Sequence, residues 1–319
     1  MSTHRTVFMG SGSFALPVLE YLLRYCPVAA VYTQPDRPVG RGRAISPSEV
    51  KKLALDGGLP VFQPPSLKPA AEVERLRELK PDAIVVASYG LILKREVLSL
   101  PPFGCINIHP SLLPRHRGPS PIVATLLAGD RVTGVSIMLM EEGTDTGPVL
   151  ARQEEAVLPG DTAGSLTARL AGVAAKLLEA TLPQWFAGRI KPQQQDDTKA
   201  TYSSLITKED GELNWRLPAV EMERQVRAYD PWPGTSTTWE GRRLKVLRAL
   251  PLPGKKADEA GRVVALHPDG AGTPVGVQTG DGVLGLLELQ LEGKRPLAAV
   301  EFVRGQRGFT GALLRSRAD

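Results

Sequence analysis

The most constraining stretch of this chain is Ala83-Ile-Val-Val-Ala87, five apolar residues with no polar alternation. A strand with one wet face alternates apolar and polar residues. A run that is apolar at every position suits a strand covered on both faces, the habit of parallel sheets. Around it, short apolar runs alternate with helical patterns. Thr6 to Met9, Val28 to Thr33, Leu59 to Phe62, Cys105 to His109 and Gly134 to Met140 read as strands. Phe14 to Tyr25, a segment opened by Ser46-Pro47-Ser48-Glu49, Pro69 to Lys80 and Asp161 to Thr181 read as helices. The alternation predicts an α/β domain over residues 1–188, with a parallel sheet and helices on both faces.

The pattern changes after about residue 188. Gly188 to Lys199 holds one apolar residue in twelve and reads as a linker, taken as residues 189–205. One helix follows, Pro218 to Tyr229. Then come short strand-like runs separated by Gly and Pro: Arg243 to Leu250, Gly261 to Leu266, Pro274 to Thr279 and Gly282 to Leu291. This predicts a small β-barrel of the OB type over residues 206–319. Two domains is also the expected count for 319 residues.

Composition narrows the class. Apolar residues make up 42% and charged residues 23%, which excludes a disordered, collagen-like or coiled-coil chain. The net charge of +5 permits an anionic partner without demanding one. Cys26 and Cys105 are too few for a disulfide framework and match no metal-ligand spacing, so a reducing compartment and no metal are expected. No apolar run approaches the roughly 18 residues of a membrane helix, and Met1 to Gly10 lacks a signal-peptide core. The expectation is a cytoplasmic monomer that does not engage a membrane.

Gly10-Ser11-Gly12 follows the first strand and resembles a truncated dinucleotide fingerprint. The second strand, however, ends in Tyr32-Thr33-Gln34 with no carboxylate, so a tight turn is the simpler reading and no nucleotide cofactor is expected. Asn107 and His109 stand at i and i+2 on a strand, so they share a face, and Pro110 ends that strand. The carboxyl end of a parallel strand is where open α/β sheets bind ligands. A solvated strand end is the alternative. Glu141 to Gly147 is a loop with glycines around Asp145, and by itself could be a plain turn. Together the three residues supply an amide donor, an imidazole and a carboxylate, with no nucleophilic Ser or Cys motif. That set suits acyl transfer to an amine that is itself the nucleophile. His4, His116 and His267 read as bystanders.

Two basic features remain. Pro38-Val-Gly-Arg41-Gly-Arg43 is a glycine-rich loop whose arginines, with Arg37, can pair with phosphates or simply be solvated. Arg242 to Arg262 holds seven Lys or Arg against two Asp or Glu in 21 residues. On a barrel this reads as a nucleic-acid footprint or an ordinary solvated face.

Several of these segments are familiar as a group. Asn107-Ile-His109 followed by Ser111-Leu-Leu-Pro-Arg-His-Arg-Gly-Pro-Ser-Pro-Ile122 resembles the signature of the folate-dependent formyltransferases. Thr33 to Arg43, Ser88-Tyr-Gly-Leu-Ile-Leu93, Asp145-Thr-Gly147, Ala228-Tyr-Asp-Pro-Trp-Pro233 and Thr279-Gly-Asp-Gly282 also match, and the 33–43 loop narrows the resemblance to the methionyl-tRNA formyltransferase family. The resemblance runs from the first strand past Gly293. It implies a Rossmann-like formyl-transfer domain, a linker and an OB-like domain that helps to hold tRNA. It implies 10-formyltetrahydrofolate as donor and the amino group of initiator methionyl-tRNA as acceptor. Asn107, His109 and Asp145 match the family's catalytic trio. Ser111, Leu112, Leu113 and Pro114 match its folate-contacting segment, with Tyr89, Gly90, Leu91 and Ile92 as further folate-side positions. Arg41, Arg43, Arg242, Arg243 and Lys245 are the expected tRNA contacts. Pro148 departs from the acidic residue of some relatives and receives no role. A formyltransferase acting on an amino sugar nucleotide, a 10-formyltetrahydrofolate hydrolase and a non-catalytic tRNA-binding module are the competing readings.

Overall fold

A computed structural model describes residues 2–39, 44–254, 259–267 and 272–315. The chain forms two compact units. One comprises Met1–Ile122, Arg131–Val157 and Ser165–Ser204; the other comprises Val123–Asp130, Leu158–Gly164 and Leu205–Asp319. The helices are α1 (Leu16–Tyr25), α2 (Glu49–Asp56), α3 (Ala70–Glu78), α4 (Arg95–Leu98), α5 (Pro121–Ala128), α6 (Ala163–Phe186), α7 (Ala219–Ala228) and α8 (Ala299–Gly305). Local chemistry starts them: Pro17 sits in the first turn of α1, and the Ser48 hydroxyl accepts from the Lys51 N–H at 3.1 Å to cap α2.

The first unit carries β1 (Thr6–Gly10), β2 (Val28–Tyr32), β3 (Arg37–Val39), β4 (Ala44–Ser46), β5 (Val61–Phe62), β6 (Ala83–Ala87), β7 (Cys105–His109), β8 (Val132–Leu139) and β9 (Val149–Ala156). Seven of them form one sheet in the order β5-β2-β1-β6-β7-β8-β9. The first five pair in parallel, as the apolar run at 83–87 predicts. Val7, Met9, Ile84, Val86 and Cys105 join one cluster with Leu76 of α3 and Val97 of α4. Their neighbours Phe8, Val85, Ile106 and Ile108 are equally buried, so both faces are covered.

The expectation of a wholly parallel sheet needs correction. β8 runs antiparallel to β7, and β9, which the sequence reading did not anticipate, runs antiparallel to β8. Val149–Ala156 carries Arg152, Glu154 and Glu155 and is exposed over half its length, as an edge strand is, and so lacks the apolar signal of the others. The stretch read as a glycine-rich loop from Pro38 begins inside a strand: Pro38 and Val39 belong to β3, which pairs antiparallel with β4.

The second unit has β10 (Thr235–Trp239), β11 (Arg242–Leu252), β12 (Val263–Ala265), β13 (Val275–Gln278), β14 (Val283–Leu291) and β15 (Leu297–Ala298). They form an antiparallel sheet in the order β10-β11-β14-β13-β12, with β15 on β14. β10 escaped the sequence reading because TSTTW is mostly polar. Two of its three threonines are buried and bond to backbone: Thr235 Oγ1 donates to the Val246 carbonyl at 2.6 Å and Thr237 Oγ1 to the Arg315 carbonyl at 3.0 Å. The segment from Gly311 to Arg315 ties the sheet together. Arg315 exchanges two backbone bonds with Thr238 on β10. Gly311, Ala312 and Leu314 bond to Val263 and Gly261 at β12. The sheet thus curls until both outer strands meet this segment. Trp215, Met222, Trp239, Leu289, Phe302 and Phe309 are buried at its centre.

Candidate active site

Strand alternation on β7 sets the site. Ile106 and Ile108 are buried on one face; Asn107 and His109 stand on the other. Asp145 comes from the loop after β8. Because β8 is antiparallel to β7, its last residue, Leu139, lies opposite Ile106 near the start of β7, and the loop that follows has to turn back to bring Asp145 to Asn107 and His109. Asn107 Nδ2 donates to Asp145 Oδ1 at 3.2 Å, and the Gly118 N–H donates to Asp145 Oδ2 at 2.8 Å. His109 Nδ1 lies 3.6 Å from Asp145 Oδ2.

The imidazole orientation follows from its other contact. His109 Nε2 lies 3.0 Å from the carbonyl oxygen of His116, which can only accept, so Nε2 carries a proton. Nδ1 is therefore the ring nitrogen left to exchange a proton, and it is the one that faces Asp145. His116 is not a bystander: its backbone fixes the tautomer of His109. Gly118 likewise supplies a carboxylate donor, with φ at +107°. A Cβ there would lie 2.6 Å from the Ser203 carbonyl oxygen. Both residues fall inside the 111–122 signature, which is the signal that could have found them. Cys105, on the same strand, is no nucleophile: burial pushes its thiol up to about 12.

The expected folate-side residues divide by burial. Ser111 and Leu113 are buried. The Ser111 hydroxyl donates to the Arg115 carbonyl at 2.6 Å, and Leu113 packs on Met138 and Val149. These two side chains are structural, so what this segment offers a ligand is backbone and the half-buried Leu112 and Pro114. Tyr89 is buried too, whereas Ile92 is 86% exposed. The loops after β6 and β7 are neighbours because their strands pair, Val86 opposite Asn107. A cavity of about 610 Å³ opens at the carboxyl ends of β1, β2 and β6, with Ser11, Gln34, Tyr89 and Gly90 in its wall. A second, of about 630 Å³, lies at the amino ends of β1 and β2 around His4, Tyr21 and Phe186, away from every candidate residue.

The basic residues are less tightly grouped than the sequence suggests. Arg41, Arg43, Lys255 and Lys256 lie outside the described residues. On β11, Arg243 and Lys245 alternate with buried Leu244 and Val246 and so share the outer face. Arg242 stands at the strand's start, donating to the Glu292 carbonyl at 3.0 Å. Arg262 does not belong to a free stripe: it pairs with Glu259 at 2.5 Å and donates to the Gly311 carbonyl.

Comparison with known proteins shows which family the chain belongs to. The formyl transferase family model matches residues 5–182, and the model of the formyl transferase C-terminal domain matches residues 205–307. A methionyl-tRNA formyltransferase of Dehalococcoides mccartyi (strain BAV1) is 48% identical, covering 98% of this chain and 98% of its own. Two solved structures share the fold. A sugar 3N-formyl transferase, WlaRD, has a TM-score of 0.66 at 16% identity, covering 92% of this chain and 100% of its own. HypX from Aquifex aeolicus, in complex with tetrahydrofolic acid, has a TM-score of 0.59 at 21% identity, covering 95% of this chain and 47% of its own. The near full-length identity, with both family models matched in order, places the chain: it belongs to the formyl transferase family, among the methionyl-tRNA formyltransferases.

Proposed function

We propose that the chain transfers the formyl group of 10-formyltetrahydrofolate to the free amino group of methionine on initiator tRNA, in the cytoplasm. The observation that carries this is the convergence of Asn107, His109 and Asp145 in a chain so similar to an enzyme of that name. Formyl transfer to an amine sets two main tasks: hold charge on the formyl oxygen and remove a proton from the attacking nitrogen. Asn107 commits one amide N–H to Asp145 and keeps the other as a fixed donor for the oxygen. His109, with Nε2 committed to a carbonyl, exchanges a proton at Nδ1. Asp145 accepts, through water, the proton the amine sheds and steadies positive charge on the ring while His109 Nδ1 relays that proton to N10 of the folate, so that the formyl C–N10 bond breaks and tetrahydrofolate leaves. The folate supplies the formyl group in activated form. Backbone of Ser111–Pro114 and of Tyr89–Ile92, with the exposed Ile92 side chain, suits a flat heterocycle that needs amide partners and apolar cover. The test is formyl transfer from 10-formyltetrahydrofolate to methionyl-tRNA, run beside formate release without tRNA. Formylated product with slow formate release is expected. Formate release at the same rate without tRNA would make the chain a hydrolase.

Residues 1–188 form the Rossmann-like catalytic domain in this reading, and 206–319 an OB-like barrel that binds tRNA, with 189–205 between. The curling of the second sheet onto its C-terminal segment supports the barrel. Arg41 and Arg43 are assigned to the acceptor end of the tRNA, and Arg242, Arg243 and Lys245 to its phosphates. Each phosphate neutralised contributes roughly 0.7–0.9 to the log–log salt slope. Replacing Arg242, Arg243 and Lys245 together should flatten that slope by about one to three units, raise KM for tRNA and leave kcat near wild type. An unchanged slope in a salt titration would leave β11 a solvated face.

A further inference from the structure

The polar stretch expected to be a linker is bonded into the site. Gln195 Nε2 donates to the carbonyl oxygens of Asp145 at 2.8 Å and of Gly147 at 2.7 Å. Its Oε1 accepts from Arg117, at 2.9 Å from Nη2 and 3.2 Å from Nε. Arg117 is 1% exposed, and its Nη2 also meets Asp197 at 2.6 Å. Its backbone is held by the same stretch: the Arg117 N–H donates to the Thr201 carbonyl at 2.8 Å, and the Ser203 N–H to the Arg117 carbonyl at 2.7 Å. The amide orientation is unambiguous, because carbonyls only accept and a guanidinium only donates. Both amide hydrogens and the amide oxygen of Gln195 are used.

What this chain of bonds braces is a strained residue. Asp145 has φ at +52°, a left-handed conformation that a residue with a Cβ adopts only at a cost. Such a conformation persists only when its surroundings hold it there. The two carbonyls that Gln195 grips lie at Asp145 itself and two residues on, so the grip fixes the peptide planes that aim the carboxylate. Gln195 reaches this loop from 50 residues further along the chain.

We infer that Gln195, oriented by the buried Arg117, is a positioning residue for Asp145: it sets the carboxylate against Asn107, the Gly118 N–H and His109 Nδ1. The inference rests on the catalytic reading of Asp145 given above. Gln195→Glu in the full chain is the sharpest variant. It keeps the shape and the acceptor toward Arg117, but turns an oxygen toward two carbonyls. Gln195→Ala is its companion, removing the grip without repulsion. A misplacement of about 1 Å at a reacting group can cost 10²-fold. Both variants should lose about 10- to 100-fold in kcat, with KM for folate and for methionyl-tRNA within about threefold of wild type. In single-turnover assays on an Asp145→Ala background, adding Gln195→Glu should cost little more, because the residue it positions is gone. A purely structural brace would not show that non-additivity. If both single variants keep kcat within about threefold, or if their loss recurs in full on the Asp145→Ala background, the inference is overturned while the role of Asp145 stands. If Asp145→Ala alone loses less than about tenfold, the catalytic reading itself fails and takes the inference with it.

Discussion

Asn107→Ala is expected to lose at least about 10²–10³ in turnover while folding as the wild type does, the cost typical of removing one oxyanion donor. The geometry says why the fold should tolerate it. Asn107 is only partly buried, and its described side-chain bond is the one to Asp145. His109→Ala and Asp145→Ala should be comparably severe. Asp145 receives bonds from Asn107 and Gly118, and faces His109 as well, so the three residues do not act independently. A double variant should therefore lose far less than the product of the single losses. Rates at saturating folate and methionyl-tRNA, with a circular dichroism melt of each variant, decide the matter. A loss below about tenfold for well-folded Asn107→Ala would remove it from the site.

Much of this was legible in the sequence because the relevant signals are local. An unbroken apolar run marks a doubly covered strand, and i, i+2 spacing puts Asn107 and His109 on one face whatever surrounds them. What was not legible depends on contacts distant in sequence. The reversal of direction at β8 leaves no mark on Gly134 to Met140, whose side chains read alike in either sense. The brace at Gln195 sits in a segment whose composition says linker, since its role is carried by polar atoms reaching Arg117 and the Asp145 loop. The last strand-like segment, Gly311 to Arg315, closes the second sheet with backbone bonds, and those carry no side-chain signal. The basic residues illustrate the opposite error. Charge counted along the chain included Arg262, which the fold turns to Glu259 and a backbone carbonyl.

Gly147→Ala is expected to damage both stability and rate, and Gly143→Ala, four residues earlier in the same loop, neither by much. A Cβ on Gly147 would lie 1.9 Å from the Leu139 carbonyl oxygen, at the end of β8. That neighbour is backbone held in a sheet, so it cannot turn aside; the loop must move instead. Overpacking typically costs about 1–3 kcal/mol, and a clash with fixed backbone belongs at the upper end or beyond it. A fall of this size lowers Tm by roughly 2–4 °C per kcal/mol in a domain of 150–250 residues. The loop that moves carries Asp145 two positions away and the Gly147 carbonyl that Gln195 grips at 2.7 Å, so kcat should fall with Tm. At Gly143 the atoms met are Oγ1, Cγ2 and Cβ of the Thr146 side chain, with Cγ2 at 3.0 Å and Cβ at 3.1 Å, and no backbone atom is among them. The alanine there shifts this side chain from Glu141, to which its hydroxyl donates at 2.6 Å, on an exposed turn that can give way. Equal effects for the two alanines in melting and in turnover would show that the contact with Leu139 does not set the loop. Asp145 would then owe its position to Gln195, Asn107 and the Gly118 N–H.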